Sequence, residues 1–338
     1  MRVIVTGAAG FIGSHFVRIL NERYPEWDVA IVDALTYAGH RSTMADLRAS
    51  FHHGQIQDAT FVKSVLESER PDAIVNFAAE SHNDRSLSHT GAFIDSNTLG
   101  VYVLLEAARK YGIGKFVQVS TDEVYGTIAE GQFTENSPLE PNTPYSAAKA
   151  GGDLQVRAAF TSYGYPASLT RGGNTYGPYQ YPEKLIPFFV TRLIDGKKVP
   201  IYGEGAQIRE WIHARDHASG VLAVLESGKP GEAYNVGDNN ERTNMEVVQI
   251  LLEETGRDES LVKRIPDPRA GAHDQRYSMS TEKIQSMGWK PEMNFEQELR
   301  NTVQWYIANE PWWRPIVADP EYQTFIRGYY GKSLGEDL

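Results

Sequence analysis

A chain of 338 residues is too long for one small core and fits a domain and a half to two domains. Hydrophobic residues make up 41% and charged residues 23%, the proportions of a globular protein with a sizeable buried core. The lack of cysteine excludes disulfides, thiolate metal sites and a cysteine nucleophile, and the net charge of −11 argues against a nucleic-acid binder.

In chain order, short runs rich in Val, Ile or Phe predict buried strands at Arg2–Thr6, Val29–Asp33, Asp72–Phe77, Lys115–Ser120 and Ala167–Arg171. Segments of helical length lie between them, at Phe11–Tyr24, Ala59–Glu69, Gly91–Tyr111 and Tyr145–Tyr163. This alternation predicts the α/β class, with a doubly wound parallel sheet covered on both faces. After about Asn174, Pro and Gly become frequent (Gly177-Pro178, Tyr181-Pro182, Gly203–Gly205) and aromatics gather near the end (Trp305, Trp312, Trp313). The expected division is a first domain over residues 1–175 and a smaller α/β lobe over 176–338. Segments around 210–240, Gly231–Gly237 among them, return to the first domain. Val3-Ile4-Val5 is too short for a secretion signal and no apolar run reaches the ~18 residues of a membrane span, so a cytoplasmic protein without a membrane partner is expected.

Gly7-Ala8-Ala9-Gly10-Phe11-Ile12-Gly13 follows the first strand and opens the first helix. Glycines there permit a tight turn, close approach of backbone to a pyrophosphate, and close packing of helix on sheet. The phosphates of a dinucleotide would sit at the positive helix N-terminus. Asp33 ends the second strand, where an acid hydrogen-bonds the adenosine ribose and repels a 2′-phosphate, so NAD is expected rather than NADP. Asp58, after Gln55-Ile56-Gln57, is a weaker candidate for the adenine, and in isolation it reads as a helix cap.

Tyr145-Ser-Ala-Ala-Lys149 puts a phenol and an ammonium on one helix face, with Pro144 suited to the first helical position. A nearby ammonium lowers a tyrosine pKa from ~10 towards neutrality, which would make Tyr145 a base for a sugar hydroxyl.

Gly7-x-x-Gly10-x-x-Gly13 together with Tyr145-x-x-x-Lys149 resembles the extended short-chain dehydrogenase/reductase family over nearly the whole chain. That family pairs a Rossmann-type domain with a nucleotide-sugar lobe. Three stretches are similar to its 4,6-dehydratases: Phe77–Ser86, Val119–Gly126 and Tyr176–Pro187. The resemblance implies conversion of dTDP-glucose or UDP-glucose to the 4-keto-6-deoxy sugar by an NAD-dependent homodimer that uses no metal. It implies that Thr121 bonds the C4 oxygen near Tyr145, Asp122 is the general acid and Glu123 the general base. Two adjacent acids can divide these tasks when their surroundings split their pKa values.

By the same resemblance, Gly7, Gly10, Phe11, Ile12, Gly13, Asp33, Leu35, Thr36, Ile56, Asp58, Phe77, Ala78, Ala79, Ser81, Asn97, Tyr145 and Lys149 hold the cofactor. Ser81, His82, Arg85, Thr121, Asn174, Lys184, Leu185, Tyr202, Arg209, Asn244, Arg269 and His273 face the substrate. A planar guanidinium such as that of Arg209 suits a diphosphate. The chain departs from the family at Gly172-Gly173, at Asn83 in place of Val, at Gln55 in place of Asp, and in a loop over Asp267–Asp274 about two residues longer. A UDP-hexose 4-epimerase and a UDP-glucuronate decarboxylase share the scaffold, and a non-catalytic NAD-binding protein is a third reading.

Overall fold

The computed structural model describes residues 1–267 and 276–335. The first half forms β1 (Arg2–Thr6), α1 (Phe11–Arg23), β2 (Asp28–Asp33), β3 (Ser50–His53), α2 (Ala59–Glu69) and β4 (Ala73–Asn76). Short helices α3 (Asn83–Ser86) and α4 (Thr90–Ile94) follow, then α5 (Val101–Lys110), β5 (Lys115–Thr121), α6 (Pro144–Tyr163) and β6 (Ala167–Gly172). The second half adds β7 (Asn174–Tyr176), α7 (Leu185–Ile194), β8 (Val199–Tyr202), β9 (Ile208–His213), α8 (Ala214–Ser227), β10 (Ala233–Val236), β11 (Glu241–Thr243), α9 (Asn244–Thr255) and β12 (Val262–Ile265). Helical segments between Glu282 and Leu334 complete it.

Seven strands form one parallel sheet in the order β10-β6-β5-β4-β1-β2-β3. Strands buried on both faces need continuous apolar runs, and Val3, Val5, Ile74, Val75, Phe116 and Val117 are all sealed from solvent. Strand order reverses between β1 and β4, the crevice where open α/β sheets bind ligands outside the carboxyl ends of the strands. The sheet is therefore the expected doubly wound one, closed at one edge by β10 pairing with β6.

The single helix predicted over Gly91–Tyr111 differs in detail. A wide π turn over Asp95–Gly100 separates α4 from α5. The extra residue per turn brings Asp95 and Ser96 to the cleft described below and buries Asn97. Small residues let α6 approach this turn. A Cβ on Gly152 would lie 2.5 Å from the Asn97 carbonyl oxygen, and one on Gly151 would lie 2.7 Å from Thr98 Oγ1.

The C-terminal part packs β11-β9-β7, the pair β12-β8 and the last helices around a second core. That core is aromatic, with Trp313, Tyr306, Phe188 and Tyr176 fully enclosed. It stands over the carboxyl edge of the sheet and makes the far wall of the site.

Candidate active site

The loops leaving β1, β2, β4, β5 and β6 open into one cleft of about 550 Å³. Gly7 turns the chain out of β1 with φ +72°, and a Cβ there would meet Ala78 N at 2.5 Å, so only glycine lets the β4 loop pass. A Cβ on Gly13 would sit 2.6 Å from the Gly7 carbonyl oxygen, so the first turn of α1 rests directly on the loop. Gly10, Phe11 and Ile12 line the floor, and the free N–H groups of α1 face the cleft.

Asp33 lies at the rim, where Ala9 N donates to one carboxyl oxygen at 2.9 Å and Leu35 N to the other at 2.8 Å. Leu35 is held by its backbone, in the left-handed region at φ +48°. Thr36, Gln55, Ile56, Phe77, Ala78, Ala79 and Ser81 line the same cleft. This glycine cradle, helix terminus and rim carboxylate fit a dinucleotide.

Three expected cofactor contacts lie outside the cleft wall: Leu35, which meets Asp33 through its backbone N–H, Asp58 and Asn97. Asp58 accepts hydrogen bonds from Thr60 N and Phe61 N, at 2.9 and 3.0 Å, as the cap of α2, and it is not part of the cleft wall. Asn97 lies behind the wall. Its amide donates to Glu80 O and accepts from Glu80 N, both at 2.9 Å, so it pins the β4 loop.

The five catalytic candidates meet in this cleft. β5 delivers Thr121 at its last position, and a 3₁₀ turn over Asp122–Tyr125 presents the acid pair. Thr143 caps α6 in a reciprocal box with Ser146, with Pro144 next. That cap starts the helix just before Tyr145, so Tyr145 and Lys149 fall one turn apart.

Thr121 Oγ1 donates to Asp122 Oδ1 at 3.0 Å. Burial first, then Glu123 and Glu210, push the Asp122 carboxyl well above the usual carboxylate range, while Thr121 and Arg209 oppose the shift. The shift favours the protonated form of Asp122, the form a proton donor needs. Asn83 Nδ2 donates to Glu123 Oε2.

The expected lowering of the Tyr145 pKa is not met in the protein alone. Burial, reinforced by Glu123 and Asp122, pushes the phenol up, and the hydrogen bond with Thr121 opposes this only in part. The Lys149 ammonium instead donates to the Val119 carbonyl at 2.6 Å, and burial brings its pKa down to about 8.

A second chamber of about 160 Å³ continues from the first, sharing Glu123, Asn174, Thr175, Gln180, Glu183 and Lys184 with it. His82, Asn174, Lys184, Leu185, Tyr202, Arg209 and Asn244 line it, so most of the substrate candidates come together. The Arg209 guanidinium stacks over Tyr277 at 4.6 Å, and Lys184 Nζ donates to Ser81 O at 2.6 Å. Arg85 lies outside both chambers. It is ion-paired to Glu183 at 2.8 Å and held between the rings of Tyr37 and Phe325, each 4.1 Å away. Its ion-pair partner Glu183 lines both chambers. Arg269 and His273 fall outside the described residues.

His217 carries no motif and escapes a reading of the sequence. It lines the first chamber, buried, with Nδ1 2.7 Å from Thr175 Oγ1 and Nε2 without a partner among the described residues. Burial, then Lys149, bring its pKa down to about 4. Its ring occupies the space that the Gly172 departure opens, because a Cβ on Gly172 would lie 2.2 Å from His217 Cε1.

Comparison with known proteins agrees with this geometry. The family model described as GDP-mannose 4,6 dehydratase matches residues 4–302. A dTDP-glucose 4,6-dehydratase of Streptomyces niveus is 46% identical over 330 residues, covering 95% of this chain and 97% of its own. The dTDP-glucose 4,6-dehydratase 1 of Escherichia coli (strain K12) is 42% identical, with 98% and 99% covered. Among solved structures, a dTDP-glucose 4,6-dehydratase from Streptomyces venezuelae with NAD bound matches at a TM-score of 0.89 and 49% identity, over 94% of this chain and 100% of that one. A UDP-glucose 4-epimerase of Thermus thermophilus in complex with NAD matches at 0.85 and 31% identity, over 91% and 100%. The chain belongs to the GDP-mannose 4,6 dehydratase family of extended short-chain dehydrogenases/reductases, among relatives that are dTDP-glucose 4,6-dehydratases.

Proposed function

We propose that this chain is an NAD-dependent lyase that removes water across C5 and C6 of a nucleotide-linked glucose, with dTDP-glucose preferred over UDP-glucose. The adjacent pair Asp122 and Glu123, beside Thr121 and facing Tyr145, carries the reading. A 4-epimerase needs no acid pair, because it only turns the 4-ketone over. The names of the relatives support the thymidine nucleotide.

The glycine cradle and Asp33 would hold NAD, which would supply hydride acceptance at the start and hydride return at the end. Tyr145 takes the proton of the C4 hydroxyl, Thr121 bonds the C4 oxygen, and Lys149 supplies positive charge one turn away. The C4 ketone makes the C5 proton acidic. Glu123 takes that proton and Asp122 gives its own to the departing 6-hydroxyl. Arg209 and Lys184 supply cations for the diphosphate.

Residues 1–175, with the return around 210–240, then serve the cofactor, and 176–338 serve the nucleotide sugar. A cytoplasmic homodimer is proposed with this reading. Tyr102 on α5 and Leu154, Phe160 and Tyr163 on α6 stay exposed in one chain and would be covered by such a partner.

The test is the double variant Asp122→Asn with Glu123→Gln, in a single turnover. It is expected to oxidise C4 and stall before water loss. Normal release of dehydrated product by that variant would remove the acid pair from the chemistry.

A further inference from the structure

Asn83 stands where the family resemblance expects Val, and its amide is engaged at both ends. Nδ2 donates to Glu123 Oε2, and Oδ1 accepts from Thr143 Oγ1 at 2.7 Å. We propose that Asn83 is a positioning residue that holds Glu123 ready as the C5 base by tying it to the cap of the catalytic helix. The inference rests on the 4,6-dehydration reading above.

The direction of the bonds follows from chemistry. An ionised carboxylate only accepts, so the amide must turn its NH₂ to Glu123. Its oxygen then faces Thr143, whose hydroxyl must donate. Thr143 is the cap of α6, where Ser146 N donates to the same hydroxyl oxygen at 3.2 Å. One short chain of bonds thus links the proposed base to the helix that carries Tyr145 and Lys149.

A helix-capping role does not account for Asn83. The cap of α3 is His82, whose ring accepts from Arg85 N at 3.3 Å. Asn83 is instead aimed across the cleft, onto an element 40 residues further along the chain. Val at this position can offer neither bond.

The step affected is balanced within the site. The C5–H bond breaks, and its proton goes to Glu123. Its electron pair forms the C5–C6 double bond, and the C6–O bond breaks, with the leaving hydroxyl taking the Asp122 proton to depart as water. Hydride removal from C4 precedes this and does not involve Glu123. A loss of positioning at Asn83 should therefore divide the two steps.

The test compares the NAD-loaded parent with Asn83→Leu and Asn83→Asp, which keep the size of the side chain. Asn83→Leu removes both bonds. Asn83→Asp keeps an acceptor for Thr143 and turns an acceptor towards Glu123. Reduced nicotinamide is followed by absorbance in a single turnover with dTDP-glucose, and the sugar is quenched and weighed by mass spectrometry. In both variants C4 oxidation is expected within about twofold of the parent. Water loss should slow by about 10- to 100-fold, a fraction of the general-base contribution, so the 4-keto hexose and reduced nicotinamide accumulate.

Parent-like water loss in the variants would overturn the inference, as would equal slowing of both steps with a lowered Tm, the mark of a merely structural role. A parent that releases no dehydrated product would overturn the proposed function and this inference together. A normal parent beside unaffected variants would overturn this inference alone.

Discussion

The Lys149 ammonium donates to the Val119 carbonyl at 2.6 Å from a side chain that is 6% exposed. Burial lowers its pKa from 10.5 to about 8, with Asp153 opposing. The folded chain therefore releases this proton from about pH 8, and the unfolded chain only near 10.5. The cost of burying the charge is fully present below about pH 8 and disappears as the pH rises from there to 10.5. It amounts to about 3 kcal/mol at most.

Lys149→Met is thus expected to stabilise the cofactor-free protein at neutral pH by about 1–2 kcal/mol, since the Val119 carbonyl loses its donor. Turnover should disappear with the charge. Melting curves from pH 7 to 10 should show the advantage shrinking as the pH rises. An advantage that grew with pH would contradict the assignment.

Asp122 has the opposite sign. Its carboxyl is raised by burial, Glu123 and Glu210, so the folded state holds this proton to higher pH than the unfolded state does. The resulting contribution to stability is present at low pH and is lost as the pH climbs above the ordinary carboxylate range. Asp122→Asn keeps the shape without the charge. Its Tm relative to the parent should rise with pH, while water loss falls by about 10²-fold or more, in the range of general-acid contributions. A Tm difference that fell with pH would exclude a buried, protonated Asp122.

Tyr145→Phe removes only the phenol oxygen, from a side chain that borders both the cofactor cradle and the acid pair. Turnover should vanish while NAD remains bound, measured by fluorescence titration. Retained turnover would dismiss Tyr145 as the base for the C4 hydroxyl.

Gly172 and His217 form a matched pair, because the His217 ring already occupies the space a Cβ on residue 172 would need. The ring is buried and tied to Thr175. Gly172→Ala should lower the Tm and weaken NAD binding, a loss of about 1–3 kcal/mol as for other overpacked sites. Adding His217→Ala should recover most of it. Losses that simply add in the double variant would show that the two residues are not coupled.

Much of this organisation is legible in the sequence, and the reasons are local. The five predicted strands lie within a residue or so of their predicted ends, because strands buried on both faces must be continuous apolar runs. The edge strand β3, with no buried residue, is not among them. The glycine cradle and the Tyr145–Lys149 spacing are dictated by backbone geometry and helix period, so they survive translation into three dimensions. The π turn at Asp95–Gly100 does not, because one added residue leaves the apolar pattern almost unchanged. Asp58 could be read either as a cap or as a ligand, and the structure gives the cap.

Arg85 shows a further limit. A sequence reveals an available guanidinium but not the buried Glu183, 98 residues away, that takes it. The Tyr145 pKa runs against the sequence expectation for the same reason: nearby charges are visible in a sequence, and the burial that outweighs them is not. His217 and the Asn83 bridge depend on contacts between distant segments and could be seen only in the fold.

The central claim is tested most directly by mass spectrometry of the products after incubating the purified, NAD-loaded protein separately with dTDP-glucose and with UDP-glucose. The account predicts loss of one water from the hexose, faster with dTDP-glucose. Unchanged product mass with both nucleotides would contradict it and point to an epimerase on the same fold.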